Sequence, residues 1–337
     1  MNSASLLLDL YRTMARIRAF ENAAEIASQG GVAAWGLAAH AKPALVRGPL
    51  HLSTGQEAVA AGVCKHLTHQ DLLTSTHRGH GHTLAKGAAV VPMMCELFGR
   101  ATGTNKGKGG SMHIADFSVG MLGANGVVAA GIPIAVGAAH ALKIKREPHV
   151  VVCFFGDGAV NRGPFLEGLN WAKVYELPVL FVCEDNRISA TTPTAPMTAG
   201  EGATARARSM GIDGLTVDGN DAMAVFDAAA TLIDQVRAGG GPRFLHALTY
   251  RFKGHVSVDP GTYRDPGEVE AALLSDPLTL ARSKLLALGV TAGDVDAIDA
   301  AALAEIAAAL AAAEAAPWPE ASEAYEDVVD TGAGTWR

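Results

Sequence analysis

The chain of 337 residues lacks the features that mark several protein classes. No apolar segment approaches the length of a membrane span, and no run of basic residues interrupts a sequence of formal charge −7. These absences argue against a membrane protein and against nucleic acid as the main partner. The N-terminus has no basic region before its first apolar residues, so we expect no signal or transit peptide.

Cysteine is also scarce, and its four positions carry no metal-ligand spacing. Two of them, Cys153 and Cys183, fall inside apolar runs that read as core strands, and the others are Cys64 and Cys95. The pattern predicts buried free thiols in the reducing environment of the cytoplasm.

Two glycine-rich stretches fail the common nucleotide-binding patterns. The stretch 103–111 is not a P-loop, because Thr102 stands where the pattern has glycine and Lys108 is followed by glycine. The stretch 156–161 lacks the third glycine of the dinucleotide motif. Both failures disfavour an ATP-dependent phosphotransferase or an NAD enzyme.

The chain does contain two strand-sized apolar runs, Val150–Phe155 and Val179–Cys183, joined by a helix-like segment. Runs of this kind predict buried parallel strands linked by a right-handed crossover. Asp157 and Asn186 then follow the carboxyl ends of the two strands, where α/β sheets bind ligands. A carboxylate beside an amide oxygen suits a hard divalent cation, and the small residues next to them admit a diphosphate.

The spacing of Gly156-Asp157-Gly158 and Asn186 resembles the thiamine diphosphate signature, and the segment 161–172 narrows the resemblance. The chain is similar to the alpha subunit of the two-chain E1 component of the pyruvate, branched-chain 2-oxo acid and acetoin dehydrogenase complexes. Five motifs in the family's order carry the resemblance, over roughly residues 6–263.

The resemblance implies an α/β fold, with a mostly parallel sheet flanked by helices on both faces. It implies a single thiamine diphosphate-binding domain over residues 1–337. We expect residues 1–50 to form an N-terminal helical arm and residues 268–337 a helical tail. Within the arm, residues 5–27 are predicted to form an amphipathic helix, because apolar residues recur there at spacings of three and four: Leu7, Leu10, Met14, Ile17 and Phe20. Residues 28–49 read as an insertion near the entrance to the site, more consistent with a surface loop than with a part of the substrate tunnel.

The family binds thiamine diphosphate through Mg²⁺. Carried over to this chain, the metal ligands are Asp157, Asn186 and the backbone carbonyl of Ile188. The matched cofactor-binding positions around Asp157 are Gly156, Gly158 and Ala159. Relatives usually read Glu-Asn-Asn where this chain has Asp185 before Asn186, so the extra carboxylate either supports the metal or merely neighbours it.

The segment from His77 to His82 matches the family's Tyr-Arg-x-His-Gly motif, in which the arginine holds the cofactor diphosphate. Arg78 matches that arginine, and a guanidinium can bind phosphate oxygens bidentately. His77 replaces the tyrosine, and we retain it as a cofactor contact. The alternating His77, His80 and His82 do not read as a metal site, because glycines separate them and no cysteine or carboxylate completes the set.

Two further motifs assign the remaining cofactor contacts. The loop at 120–137 resembles the one that surrounds the pyrimidine ring, which assigns Gly126 and Val128, with Val127 as the alternative for the apolar residue that supports the bent cofactor. Arg206 aligns with an arginine that contacts diphosphate in branched-chain relatives, and Arg208 is the alternative.

Two histidines are predicted to be catalytic. His51 opens a His-Leu-x-x-Gly-Gln-Glu-Ala motif whose histidine lines the family's substrate pocket. His255 matches the histidine of a mobile loop that reaches the cofactor, and an imidazole can act as acid, base or phosphate ligand near neutral pH. Lys253 stands where pyruvate-type enzymes have another histidine, and Val256 replaces a serine that some mitochondrial relatives phosphorylate.

The chain supplies the diphosphate and metal anchor, but no second α/β unit that could supply a carboxylate to the pyrimidine. The resemblance implies that a beta subunit contributes this glutamate, in a heterotetramer of two alpha and two beta subunits. The implied reaction is cleavage of a C–C bond in acetoin or a small 2-oxo acid, with oxidative transfer of the acyl group to a lipoyl group on E2. The alternative is a non-catalytic subunit that binds Mg-diphosphate. The motifs slightly favour acetoin.

Overall fold

The computed structural model describes residues 2–29, 43–46 and 48–327. Its strands are β1 (Leu72–Thr74), β2 (Met121–Gly123), β3 (Val151–Gly156), β4 (Val179–Asp185), β5 (Ile188–Ser189), β6 (Thr192–Pro193), β7 (Gly214–Asp218) and β8 (Arg243–Leu248). Six of them form one parallel sheet in the order β2-β1-β3-β4-β8-β7. Strands β5 and β6 form a separate antiparallel hairpin. The predicted parallel α/β architecture is confirmed.

Residues 151–155 of β3 and residues 179–183 of β4 are apolar because helices cover both faces of these two central strands. Successive side chains of a strand point to opposite faces. On β3, Val152 and Phe154 pack into the core on one side of the sheet. Val151, Cys153 and Phe155 pack into the core on the other side. The apolar runs therefore predicted the buried crossover correctly.

The helices form two layers around this sheet. They are α1 (Ser3–Ser28), α2 (Glu57–Cys64), α3 (Gly79–Ala85), α4 (Val90–Leu97), α5 (Gly131–Lys145), α6 (Gly163–Val174), α7 (Ala203–Ser209), α8 (Ala222–Arg237), α9 (Pro266–Leu273), α10 (Pro277–Ala287) and α11 (Ala292–Ala315). Buried residues of α5, α6 and α7 share a core with one face of the sheet. Those of α1, α2, α4, α8 and α11 contribute to the core on the other face.

The N-terminal and C-terminal helices pack against one another. Helix α1 buries the apolar stripe predicted from residue spacing, and α11 lies beside it. Tyr11 donates a hydrogen bond to Asp299 at 3.0 Å, and Arg16 pairs with Glu305 at 2.9 Å. The proposed insertion at 28–49 and the end of the predicted tail, 328–337, fall largely or wholly outside the described residues.

All four cysteines are buried and free, as predicted. Burial raises the pKa of the Cys64 and Cys153 thiols to about 12, so neither forms a thiolate near neutral pH. Among the helices that the structure describes, none is long and apolar enough to cross a membrane.

Candidate active site

A cleft opens at the carboxyl ends of β3 and β4. It encloses about 670 Å³ of space that is not filled by protein atoms, part of which is open to solvent. Asp157 starts a short 3-10 helix directly after β3, and Asn186 follows the last residue of β4. Because β3 and β4 are adjacent and parallel, both side chains reach the same edge of the sheet.

The Asp157 carboxylate carries an unmatched negative charge. It is only 6% exposed, and the Thr194 hydroxyl donates a hydrogen bond to its Oδ2 at 2.7 Å. Among the described residues no basic side chain forms an ion pair with it. Burial, with a smaller effect of Asp185, raises the pKa of Asp157 to about 6. A buried carboxylate without a cation calls for a bound one.

The Asn186 amide is held in a fixed orientation. Its Nδ2 donates to Oε1 of Gln56 at 3.1 Å, and its Oδ1 accepts from the Ile188 amide at 3.1 Å. Gln56, Asn186 and Ile188 all line the cleft. Asp157 and Asn186 therefore present the oxygen ligands that a hard divalent cation prefers.

The backbone after Asp157 approaches the hairpin closely. A Cβ atom added at Gly158 would lie 2.3 Å from the Ser189 hydroxyl, so this position needs glycine. Gly156, Gly158 and Ala159 line the cleft beside Asp157 and leave room for a bulky anionic group.

Another part of the cleft wall is basic and comes from loops. Arg78 is 6% exposed and donates to the Leu52 carbonyl at 2.8 Å and the His255 carbonyl at 2.9 Å. It has no carboxylate partner in the described chain. Burial, and next the neighbouring Arg251, lower the pKa of Arg78. The guanidinium is thus an unmatched positive charge in the same cleft as the unmatched carboxylate of Asp157.

Three histidines that are far apart in the sequence meet beside Arg78. The ring centroid of His51 lies 4.6 Å from that of His77 and 4.9 Å from that of His255. Burial, followed by the charge of Arg78, lowers the pKa of His51 to about 3, of His77 to about 2 and of His255 to about 4. All three imidazoles are therefore neutral at pH 7.

The three alternating histidines take different partners, and the glycines between them do not form a loop, because His80 and His82 lie in helix α3. His77 joins the cluster just described. His80 binds Oε2 of Glu21 and the Ser111 hydroxyl, each at 2.9 Å. His82 binds the Ser75 hydroxyl at 2.7 Å and pairs with Glu184 at 3.2 Å.

Most predicted site residues meet in the cleft. Its lining includes His77, Arg78, Val128, Gly156, Asp157, Gly158, Ala159, Asn186, Ile188 and His255. His51 lies behind His77 and His255. Val127 also lines the cleft, so the choice between Val127 and Val128 as the apolar support stays open.

Two predicted contacts lie outside the lining. Arg206 points to the backbone and side chain of the 3-10 helix, donating to Asn161 Oδ1 at 2.7 Å and to the Ala199 carbonyl at 3.1 Å. Gly126 lies next to His113, whose ring would be 3.4 Å from an added Cβ atom. Their roles as cofactor contacts stay predictions.

Several residues of the cleft lining were not predicted from the sequence. Gln56 belongs to the motif that begins at His51. Its Oε1 accepts a hydrogen bond from Asn186, which indicates that Gln56 orients the Asn186 amide. Ser75 and Glu184 both line the cleft and are joined through His82. Thr76, Asn125 and Ser189 are further polar residues of the lining.

The comparisons with known proteins agree with this geometry. The profile of the dehydrogenase E1 component family matches residues 37–322. The chain belongs to the dehydrogenase E1 component family. It is 43% identical to the alpha subunit of acetoin:2,6-dichlorophenolindophenol oxidoreductase of Bacillus subtilis, over 95% of this chain and 92% of that protein.

Other alpha subunits are similar along nearly the whole chain. The acetoin:2,6-dichlorophenolindophenol oxidoreductase alpha subunit of Cupriavidus necator is 42% identical, over 96% of this chain and 93% of its own length. The pyruvate dehydrogenase E1 alpha subunit of Zymomonas mobilis is 37% identical, over 96% of this chain and 88% of its own length. The chain is therefore an oxidoreductase subunit of the E1 type, for which thiamine diphosphate use and a beta subunit partner are implied.

The cleft of this E1 subunit fits a metal-bound diphosphate. One part of the lining offers a buried carboxylate without a cation, another a buried guanidinium without an anion, and Gly158 leaves space beside the carboxylate. A divalent cation would match Asp157, and a diphosphate would match Arg78.

Two departures from the family's motifs have local explanations. Asp185 is paired with His246 at 2.8 Å and is not part of the cleft lining, so in this structure it neighbours the site. Lys253 pairs with Glu25 of α1 at 2.7 Å, which fastens the loop of His255 to the N-terminal helix.

Proposed function

We propose that this E1 alpha subunit binds thiamine diphosphate and Mg²⁺ in the cleft and, with its beta partner, cleaves a small ketone or 2-oxo acid and passes the acyl group oxidatively to a lipoyl group on E2. The observation that carries the proposal is the pair of unmatched charges, Asp157 at the strand ends and Arg78 on the loop wall. Four free and buried cysteines fit the reducing cytoplasm, which we propose as its location.

The metal ligands in this proposal are Asp157, Asn186 and the carbonyl of Ile188. Arg78 holds the diphosphate, with Gly156, Gly158 and Ala159 making room for it and Arg206 as a further contact. Gly126 and Val128 surround the pyrimidine. Gln56 orients Asn186, which is supported by their 3.1 Å hydrogen bond.

The proposal requires a second chain. The carboxylates that line the cleft in the described chain are Asp157 and Glu184. Asp157 is assigned to the metal, and Glu184 is paired with His82. A glutamate of the beta subunit therefore completes the site, in a heterotetramer of two alpha and two beta subunits.

Bound thiamine diphosphate supplies the electron sink that the cleavage of a C–C bond next to a carbonyl requires. The histidines of this chain act on the substrate side. As a neutral imidazole at pH 7, His255 in the cleft lining can donate one hydrogen bond to a substrate oxygen, and His51 packs against it from behind. His77 packs against both of them and shapes the same wall.

We propose acetoin as the substrate, with pyruvate as the alternative. The relatives with 43% and 42% identity are named for acetoin, whereas the pyruvate dehydrogenase subunit of Zymomonas mobilis is 37% identical. Acetoin is uncharged at neutral pH, whereas pyruvate is an anion. A comparison of turnover of the two compounds by the assembled complex decides between them.

The test of the proposed function is Asp157→Ala in the complex of this chain with its beta partner. We expect Mg²⁺-dependent cofactor binding and turnover both to fall by more than the roughly 10–100-fold that loss of an outer-shell partner of a metal site costs. Asp213→Ala is the matched control, because Asp213 is exposed and its side chain makes no hydrogen bond or ion pair within the described chain.

Two outcomes would contradict the proposal. If turnover survives in Asp157→Ala, Asp157 is not the metal anchor of the site. If the wild-type complex binds thiamine diphosphate but turns over no ketone or 2-oxo acid, this chain is a non-catalytic subunit. ATP binding by the wild-type chain would instead support a phosphotransferase.

A further inference from the structure

We propose that His51, His77 and His255 form a binding site for one divalent transition-metal ion of the zinc class, separate from the oxygen site at Asp157. One ring nitrogen from each histidine can be chosen so that the three atoms lie within 4.8 Å of one another. A three-histidine set with an open fourth position is a common arrangement for zinc.

The geometry is close to that of a tetrahedral site. Zinc–nitrogen distances of about 2.0–2.1 Å place two ligand nitrogens about 3.4 Å apart in a tetrahedron. The observed set is wider by up to about 1.4 Å, within reach of modest side-chain rotation. His77 and His255 both lie on loops rather than in regular elements, so their rings can turn toward the ion.

The state of the three rings favours metal binding. His51 is only 6% exposed, and its Nδ1 has no hydrogen-bond partner, so a buried lone pair or N–H is left unused. A metal ligand must be a neutral imidazole, and burial keeps all three rings neutral. Nitrogen donors select zinc-class ions over Mg²⁺, which prefers oxygen.

The neighbouring charges oppose a cation. Arg78 donates to Nδ1 of His255 at 3.2 Å, and Arg251 donates to the same atom at 3.4 Å. Asp259, whose carboxylate accepts from the His255 amide at 2.6 Å, offsets part of this charge. The two guanidinium groups weaken the site, and they favour an anion or hydroxide as the fourth ligand.

The position of the site gives it a consequence for activity. His77 and His255 line the same cleft as Asp157, so a bound ion would obstruct it. We therefore expect Zn²⁺ to inhibit turnover. This consequence rests on the proposed function, whereas metal binding itself does not.

The experiment uses the full chain and Co²⁺ as the spectroscopic probe. We expect one equivalent to bind with the strong visible absorption of a four-coordinate ion, and Zn²⁺ to displace it. X-ray absorption of the Zn²⁺ form should show three imidazole nitrogens at about 2.0–2.1 Å. Excess Mg²⁺ should leave the Co²⁺ spectrum unchanged.

Three variants test the assignment. His77→Asn should weaken Co²⁺ binding by more than roughly 100-fold, because a ligand counts for more than an outer-shell partner. The exposed His69→Asn should bind like the wild type. Arg251→Gln should bind Co²⁺ more tightly, because it removes a positive charge near the ion, and a merely structural role would not produce that gain.

Other results overturn the proposal. Displacement of Co²⁺ by Mg²⁺, or its loss in Asp157→Asn, would put the ion in the oxygen site. Unchanged affinity in a folded His77→Asn would remove the histidine site. Binding at the histidines without inhibition by Zn²⁺ would keep the metal site and count against the proposed role of this wall in turnover.

Discussion

The two ends of the cleft are built in different ways. The end with Asp157 and Asn186 follows two buried strands, so the chain positions it through regular secondary structure. The end with His51, His77 and His255 is assembled from three loops that are widely separated in the sequence. The first end carries an unmatched negative charge and the second an unmatched positive charge. Regular secondary structure thus positions one half of the site, and the packing of distant loops positions the other half.

The largest effect that separates the two ends is expected from His255→Ala. In the assembled complex we expect turnover to fall roughly 10²–10⁴-fold, because a positioned proton donor or acceptor is lost. Mg²⁺ affinity should change little, since Asp157 and Asn186 are untouched. Turnover assays and Mg²⁺ titrations measure the two quantities, and a parallel loss of both would show that the two ends are one unit.

The loop end depends on a buried network, which Glu21→Ala breaks. Glu21 of α1 accepts from the Ser53 amide at 2.9 Å and binds His80 at 2.9 Å, two positions after Arg78. Removing the Glu21 carboxylate leaves the buried Ser53 amide and the His80 ring without this partner, which costs about 1–3 kcal/mol of unfolding free energy per unsatisfied group. Glu25→Ala, one turn further along α1, breaks only the more exposed pair with Lys253 and should cost about 0–1 kcal/mol.

Urea denaturation of the two variants measures this difference. Equal losses of unfolding free energy in the two variants would mean that the network around His80 does not hold the loop end in place.

A smaller effect is expected at the strand end from Gly158→Ala. The new Cβ atom would meet the Ser189 hydroxyl at 2.3 Å, and the strain of such overpacking costs about 1 kcal/mol, or roughly fivefold in cofactor affinity. The additional change Ser189→Gly should restore affinity, because it removes the atoms that collide. Calorimetric titration of thiamine diphosphate checks both variants, and no rescue would point to a backbone cause.

The smallest effect concerns the pH dependence of stability in the metal-free chain. The pKa of His51 is lowered to about 3, whereas an unfolded histidine titrates near 6.5. The unfolded state therefore binds more protons below pH 6.5, and this term reduces stability as the pH falls toward 4. The pKa of Asp157 is raised to about 6, so its term has the opposite sign and increases stability as the pH falls from 6 to 4.

The contributions of the two ends differ in how the unfolding free energy changes with pH. We expect His51→Asn to make the acid loss of unfolding free energy shallower and Asp157→Asn to make it steeper, each by less than about 1.4 kcal/mol per pH unit. Urea denaturation at pH 7 and pH 5 gives the slopes, with the exposed His69→Asn as the control. Changes in slope of the same sign in the two variants, each relative to the wild type, would contradict the charge assignment.

The sequence by itself determined the sheet and the strand end of the site. The apolar runs at β3 and β4, followed by Asp157 and Asn186, required only that adjacent parallel strands end at one edge. Local patterns also identified helix α1 and the free buried cysteines. These features depend on residues close together in the chain, so periodicity and spacing are sufficient to find them.

Only the tertiary structure decided how the loop end is assembled. Nothing in the spacing of His77, His80 and His82 indicates that each takes different partners, because those partners come from α1, β4 and loops elsewhere in the chain. The contact of Gln56 with Asn186 and the pairing of Asp185 with His246 likewise join distant segments. A side chain's partners, charge state and exposure are set by the packing of the whole chain, which residue types and local spacing do not encode.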